Sequence, residues 1–291
     1  MQVPPRLVDT FQSQRLTLRY AEWGRPDAPP FLLVHGGMDQ MRSWDAVAGH
    51  LSARYRVIAF DLRGHGQSQQ VNDGDYGVMD HVFDVSSLVE HLELTQFHLM
   101  GHSLGGNIAL RYAGLFPTKI EKLVALEGLG PSPKMLAERA AEDPATRYRN
   151  WIEQRRTLSL RRPRVMANQS EAEGRMRARF SQLSDAQIAH LTATGLRENT
   201  DETVSWAYDP AGMGRSPSDI PHQHFIYLQR QISCPTWLVY GADSWASNPE
   251  EDGRASVFQN ATVTVIEQAG HWLHHDQFTY FIEGLDAFLA R

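Results

Sequence analysis

The stretch HLMGHSLGGNIAL, residues 98–110, places a single serine where a strand pattern changes abruptly into a helix pattern. An apolar run ends at Gly101, and a run with the apolar spacing of a helix begins at Leu104. Glycine stands two residues before Ser103 and again two residues after it, at Gly105. A turn this sharp leaves no room for a Cβ atom at either position, and it holds the serine hydroxyl clear of the backbone. The sequence therefore predicts a strand, a one-residue turn and a helix, with Ser103 presented as a nucleophile.

The start of the predicted helix is also suited to stabilising negative charge. Amide hydrogens at a helix N-terminus point outward, and the helix dipole is positive there. An oxyanion that forms when a serine attacks a carbonyl needs such donors. We expect the amide of Leu104 to be one donor and the amide of Gly37, in VHGGMD (34–39), to be the second, with Met38 as the alternative. We expect His35 to be structural and to bond loop carbonyls.

A serine hydroxyl becomes a useful nucleophile only when a base removes its proton. The stretch EQAGHWLHHDQ (267–277) follows the last predicted strand and contains three histidines. His271 comes directly after the strand and a turn, so we expect it to be the base. His274 and His275 are expected at the surface or behind the base, and a metal cluster that includes Asp276 is the weaker alternative.

The base needs a carboxylate to orient it, and in this chain order the acid lies between the serine and the histidine. Asp243 in LVYGADSW (238–245) follows the strand before the histidine strand, and we predict that it is the acid. Glu127 in LVALEGLG (123–130) also ends a core strand, and it is the rival candidate.

Composition excludes several classes of protein. The chain has 291 residues and a formal net charge of −6, which does not suit a general nucleic-acid binder. Its single cysteine, Cys234, allows no disulfide within the chain. The first residues, MQVPPRLVDTFQSQ, lack the apolar core of a signal peptide, and no apolar run is long enough to cross a membrane. We therefore expect a cytoplasmic protein with no membrane or nucleic-acid partner.

The order of predicted elements indicates an α/β fold with an insertion. Short apolar strands alternate with helical patterns as far as residue 128, which predicts a mostly parallel sheet covered by helices. From 129 to 230 the pattern becomes helical and charged, and strands resume near Cys234. We predict a core of residues 1–128 and 231–291, with a helical cap inserted at 129–230.

Five stretches together resemble the α/β-hydrolase superfamily, in the expected order along the chain: HGG (35–37), DLRGHGQS (61–68), GHSLGG (101–106), YGADS (240–244) and AGHWLHHDQ (269–277). Further stretches, such as HGGMDQMRSWD, are similar to a bacterial subgroup of serine esterases with helical caps. The resemblance implies an eight-stranded, mostly parallel sheet flanked by helices. It also implies hydrolysis of carboxylic esters, lactones or thioesters through an acyl-enzyme, without a cofactor or a metal.

The residue at the nucleophile position differs from that of some related families, and this difference disfavours their reactions. Haloalkane dehalogenases and epoxide hydrolases place an aspartate at the nucleophile position, whereas this chain has Ser103 there. Hydrolases that cleave C–C bonds of vinylogous diketones share the serine, acid and histidine, so they stay open as an alternative. A non-catalytic protein that binds a small molecule on the same fold is the third interpretation.

The insertion is expected to cover the serine and to bind a small ester with an apolar portion. The residues that we expect to line the substrate pocket are Met38, His102, Trp206, Trp245 and Trp272. The basic run RRTLSLRRPR (155–164) either binds an acidic substrate, such as a coenzyme A thioester, or is a solvated face. A homodimer also stays open at this stage.

Overall fold

The computed structural model describes residues 3–72, 76–214 and 219–291. The strands in chain order are β1 (Leu7–Ser13), β2 (Leu16–Trp23), β3 (Pro30–Val34), β4 (Arg56–Phe60), β5 (Phe97–His102), β6 (Ile120–Leu126), β7 (Val165–Met166), β8 (Leu196–Glu198), β9 (Val204–Trp206), β10 (Thr236–Gly241) and β11 (Ala261–Ile266). The α-helices are α1 (Asp45–Leu51), α2 (Val78–His91), α3 (Leu104–Leu115), α4 (Pro133–Ala141), α5 (Pro144–Leu160), α6 (Gln169–Arg179), α7 (Asp185–Gly195), α8 (His222–Gln231), α9 (Leu273–Asp276) and α10 (Phe278–Leu289).

Eight of the described strands form one twisted sheet in the order β1-β2-β4-β3-β5-β6-β10-β11. Strand β2 is antiparallel to both of its neighbours, β1 and β4. The other neighbouring strands of this sheet pair in parallel. This confirms the predicted fold class, an eight-stranded and mostly parallel sheet flanked by helices. Within the described ranges, no helix combines the length and the apolar character needed to span a membrane.

The central strands are apolar on both sides because helices cover both faces of the sheet. All six residues of β5 are buried, and so are four of the five in β3. Helices α2 and α3 cover one face, where α2 buries Val82, Val85 and Leu88. Helices α1 and α10 cover the other, where Phe281 and Leu285 pack on the sheet. The apolar residues of the helices and strands thus form two core layers, one on each face of the sheet.

Six parallel strands of the described sheet end at the same edge, and this edge positions the candidate site. Val34 at the end of β3 lies opposite Gly101 of β5, and His102 lies opposite Leu126 of β6. On the other side, the end of β10 pairs with the end of β11. The loops that follow β3, β5, β6, β10 and β11 therefore converge, as is usual for ligand sites in open α/β sheets.

The insertion between β6 and β10 is not purely helical. It holds α4 to α8 and a small antiparallel sheet in the order β7-β9-β8, whereas the sequence pattern predicted helices alone. These strands have two or three residues each, too short to give an alternating signal. Helix α8 packs on α3 of the core, with the Arg111 guanidinium 4.2 Å from the ring centroid of Phe225.

Candidate active site

Ser103 occupies a tight turn between β5 and α3. Its φ of 53° and ψ of −114° lie outside the regions that ordinary residues prefer. A Cβ atom on Gly101 would lie 2.2 Å from the carbonyl oxygen of Gly105, and one on Gly105 would lie 2.1 Å from that of Val34. Neither glycine can be replaced without moving backbone. The turn holds the Ser103 hydroxyl at the carboxyl edge of the sheet, half-buried.

His271 follows β11 and lies against the serine. The Ser103 hydroxyl donates to Nε2 of His271, with 2.9 Å between the two atoms. The other ring nitrogen, Nδ1, lies within hydrogen-bond distance of Glu127 Oε2. Because an ionised carboxylate can only accept, the proton of the neutral imidazole belongs on Nδ1, and Nε2 is free to accept from the serine. This tautomer is the one that a general base needs.

Glu127, and not Asp243, stands against the imidazole. The Glu127 side chain is fully buried directly after β6, with a backbone φ of 49°. Asp243 is exposed, and its amide donates to the carbonyl of Ala269. The expectation that Asp243 orients His271 is therefore wrong. Both residues follow adjacent parallel strands, so sequence position could not separate them, and the local turn decides which carboxylate points inward.

Hydrogen bonds from three donors hold the Glu127 carboxylate. The amide of Gly241 donates to Oε1 at 2.9 Å, and the hydroxyl of Ser244 donates to Oε2 at 2.7 Å. The Nδ1–H of His271 is the third donor. A buried carboxylate is costly unless such donors replace the water that it loses. Sequence reasoning missed Ser244 and Gly241, although both lie in the YGADS stretch that was singled out for Asp243.

The loop after β3 lies against the turn that carries Ser103. A Cβ atom on Gly36 would lie 3.3 Å from Cβ of Ser103, and one on Gly37 would lie 3.9 Å from Cδ2 of Leu104. Leu104 is the first residue of α3, so its amide hydrogen has no acceptor within the helix. Gly37 and Leu104 thus lie in neighbouring segments next to the turn that carries Ser103.

Met38 is not available as an oxyanion donor. Its amide donates to Nε2 of His65 at 3.1 Å, and Nδ1 of His65 lies 3.0 Å from the carbonyl oxygen of Arg63. His35 is buried in the same loop, where its Nδ1 bonds the carbonyl of Gly36 at 2.7 Å. This matches the expected structural role of His35. Burial keeps the pKa of His35 well below its ordinary value, so the ring is neutral.

Three further histidines lie behind the serine and not at the surface. His102 is 1% exposed, and its Nε2 bonds the carbonyl of His271 at 2.8 Å. His274 is 1% exposed and stacks on Trp44, and His275 is also buried. Desolvation lowers the pKa of each ring, that of His275 to about 4. The prediction that His102 lines the substrate pocket is wrong, because its ring faces the protein interior.

The predicted pocket residues have different surroundings. Trp245 is 65% exposed, and its ring centroid lies 5.0 Å from that of His271. Met38, which is 43% exposed, directly follows Gly37. Trp206 packs among the insertion's own apolar side chains, and Trp272 stacks on Phe180 with ring centroids 4.2 Å apart. Trp245 thus presents exposed apolar surface beside His271, and Met38 presents exposed apolar surface in the loop after β3.

No group of three or more histidine, cysteine, aspartate or glutamate side chains within the described ranges is arranged to hold a metal ion. The alternative of a metal cluster at His271, His274, His275 and Asp276 therefore has no support from the geometry. Asp276 instead accepts from the amide of Gly270 at 2.9 Å.

Known proteins share the fold of this chain. The family described as alpha/beta hydrolase fold matches residues 29–278. The chain belongs to this family. Among curated proteins it is 24% identical over 270 residues to epoxide hydrolase 4 of Mus musculus, which covers 90% of this chain and 73% of that protein.

Two solved structures show how closely this α/β hydrolase follows the common fold. A thioesterase domain from the curacin biosynthetic pathway has a TM-score of 0.81 and 24% identity, covering 98% of this chain and 99% of that one. An esterase of Mycobacterium tuberculosis has a TM-score of 0.78 and 22% identity, covering 100% and 94%. At such identities the likeness establishes the fold, and the chemistry has to be argued from the site.

Proposed function

We propose that this α/β hydrolase cleaves carboxylic esters through an acyl-enzyme formed on Ser103. The observation that carries the proposal is the hydrogen-bonded chain from the Ser103 hydroxyl through His271 to the buried Glu127 carboxylate. Serine at the nucleophile position disfavours the epoxide chemistry named for the mouse relative.

The proposed first step is attack of the Ser103 oxygen on the ester carbonyl. His271 Nε2 takes the hydroxyl proton as the C–O bond forms, and Glu127 stabilises the resulting imidazolium. The amides of Gly37 and Leu104 donate to the oxyanion. Collapse of the tetrahedral intermediate breaks the bond to the leaving alcohol, which receives the proton from His271. Water, activated by the same imidazole, then releases the acid and restores the serine.

The proposed substrate carries an apolar group next to the ester. The exposed indole of Trp245 offers apolar surface beside His271, and the exposed side chain of Met38 offers apolar surface in the loop that holds Gly37. Thioesters and lactones fall within the same mechanism, because they too present a carbonyl with a leaving group. A binding site for an acidic group on the basic run is not part of the proposal. Arg156 of that run is paired with Glu153, and both side chains are exposed.

A panel of p-nitrophenyl esters with increasing acyl length tests the proposal. We expect turnover by the wild type and a fall in kcat of at least about 10⁴-fold in Ser103→Ala. A fluorophosphonate probe should label the wild type and leave Ser103→Ala unlabelled. The exposed Ser256 provides the matched control, since Ser256→Ala should keep both the ester turnover and the labelling by the probe. Equal ester turnover by wild type and Ser103→Ala would overturn the proposal.

A further inference from the structure

The loop after β10 supplies a hydroxyl to the buried carboxylate, although it does not supply the acid itself. The Ser244 oxygen lies 2.7 Å from Oε2 of Glu127, the same carboxylate oxygen that faces Nδ1 of His271. Ser244 is held in place by a turn in which its amide donates to the carbonyl of Gly241. The hydroxyl and the imidazole therefore bind one oxygen atom from two sides.

The direction of the Ser244 hydroxyl proton follows from its other hydrogen bond. The amide of Ala246 donates to the Ser244 oxygen at 3.2 Å, so one lone pair of that oxygen is occupied. A carboxylate cannot donate, so the hydroxyl proton of Ser244 points to Glu127. Because the amide of Gly241 donates to Oε1, both carboxylate oxygens of Glu127 accept hydrogen bonds from the end of β10 and the loop that follows it.

We propose that Ser244 is a positioning residue, which sets the place of Glu127 Oε2 and thereby the orientation of His271. This inference rests on the proposed function of the site. Glu127 itself has a positive φ of 49°, and its side chain must reach past β10 to His271, which follows β11. A hydrogen bond from a fixed hydroxyl limits the rotation of the terminal carboxylate, which a single contact with the imidazole would leave less constrained. Ser244 itself does not touch the reacting atoms.

A double-mutant cycle on kcat separates this role from a general effect on folding. We expect Ser244→Ala to lower kcat about tenfold, in line with the loss of a hydrogen bond to a charged group, and to change KM less than twofold. In a Glu127→Gln background, the same substitution should have almost no further effect, because the carboxylate on which it acts is gone. Ser244→Thr, which keeps the hydroxyl, should recover most of the activity, and Ser256→Ala is the matched control.

Two results of the cycle would overturn the inference while leaving ester hydrolysis by Ser103 intact. One is an unchanged kcat in Ser244→Ala. The other is an equal fold-loss from Ser244→Ala in the wild-type and Glu127→Gln backgrounds, which would show that the hydroxyl acts independently of the carboxylate.

A spectroscopic measurement decides the matter even if no ester is turned over and the proposed function fails. The Nδ1 proton of His271, shared with a buried carboxylate, should give a downfield proton resonance that disappears in Glu127→Gln. Ser244→Ala should shift or broaden this resonance, whereas Ser256→Ala should not. A resonance identical in wild type and Ser244→Ala would overturn the positioning role of Ser244.

Discussion

Glu127 carries a fully buried carboxylate whose three hydrogen-bond donors are Gly241 at the end of β10, Ser244 in the loop after β10, and His271 after β11. Removing its charge should leave the imidazolium of the transition state without a counter-charge and free the imidazole to adopt the wrong tautomer. We expect Glu127→Gln to lower kcat about 10³- to 10⁴-fold. Asp243→Asn, the matched change at an exposed carboxylate in the next loop, should stay within twofold of the wild type. Ester kinetics on purified, folded variants measures both, and a large loss in Asp243→Asn alone would contradict the assignment.

Some residues of the site can be predicted from a short stretch of sequence, whereas the acid cannot. Ser103 and the position of His271 are readable from sequence because glycines at fixed offsets and a strand end leave few alternatives. The acid is not readable with the same certainty, since Asp243 and Glu127 both follow strands that end at one edge. Which carboxylate turns inward depends on φ at residue 127 and on the turn that ties the amide of Asp243 to Ala269. This backbone angle and this hydrogen bond depend on the tertiary structure, so neither can be predicted from a short stretch of sequence.

At the scale of elements, the close approach of α3 to the end of β3 makes the serine turn possible. A Cβ atom on Gly105 would lie 2.1 Å from the carbonyl oxygen of Val34, so Gly105→Ala forces the helix away from the sheet. We expect this substitution to lower the free energy of unfolding by about 2–4 kcal/mol. Urea titration followed by circular dichroism measures it.

A second glycine gives the matched control for that prediction. Gly174 lies inside α6, and a Cβ atom there would meet nothing within 4 Å. Gly174→Ala should therefore stabilise the protein, by about 0.5–1 kcal/mol at most, because alanine restricts the unfolded chain and favours the helix. Similar destabilisation by Gly105→Ala and Gly174→Ala would show that the contact with Val34 is not the cause.

The insertion is anchored to the core around the candidate site. Phe180 stacks on Trp272, the neighbour of His271, with an interplanar angle of 5°. The side chain of Gln187 donates to the carbonyl of His275 at 2.9 Å. On the opposite flank, the amide of Asp209 donates to the carbonyl of Gly64 at 2.7 Å. These contacts hold the insertion in one position on the core, and the helical periodicity of the sequence does not predict them.

For the molecule as a whole, buried titratable groups set the response of stability to pH. Burial lowers the pKa of seven histidines, and in each case desolvation is the largest cause: His35, His65, His81, His98, His102, His274 and His275. Below the unfolded value of about 6.5 these side chains bind protons in the unfolded chain but not in the folded one, so stability falls as the pH decreases. Four aspartates act in the opposite direction, since burial raises the pKa of Asp39 to about 7, that of Asp61 to about 6, and those of Asp84 and Asp276 above their ordinary value. The seven histidines outnumber these four carboxyls, and we expect net loss of stability below pH 6.5.

A substitution at His274 measures the contribution of a single buried histidine to this pH dependence. Both of its ring nitrogens are buried without a hydrogen-bond partner among the described residues, and the ring stacks on Trp44 with centroids 4.7 Å apart. His274→Phe keeps an aromatic ring in the stack and removes the titration. A histidine that stays neutral when folded contributes a loss of about 1.4 kcal/mol between pH 8 and pH 5.5, so the variant should lose that much less over the same range. The exposed His224 serves as control, since His224→Phe should leave the pH dependence of unfolding unchanged. If His274→Phe and wild type lose equal stability on acidification, His274 is protonated in the folded state, and the account of the neutral cluster behind Ser103 fails with it.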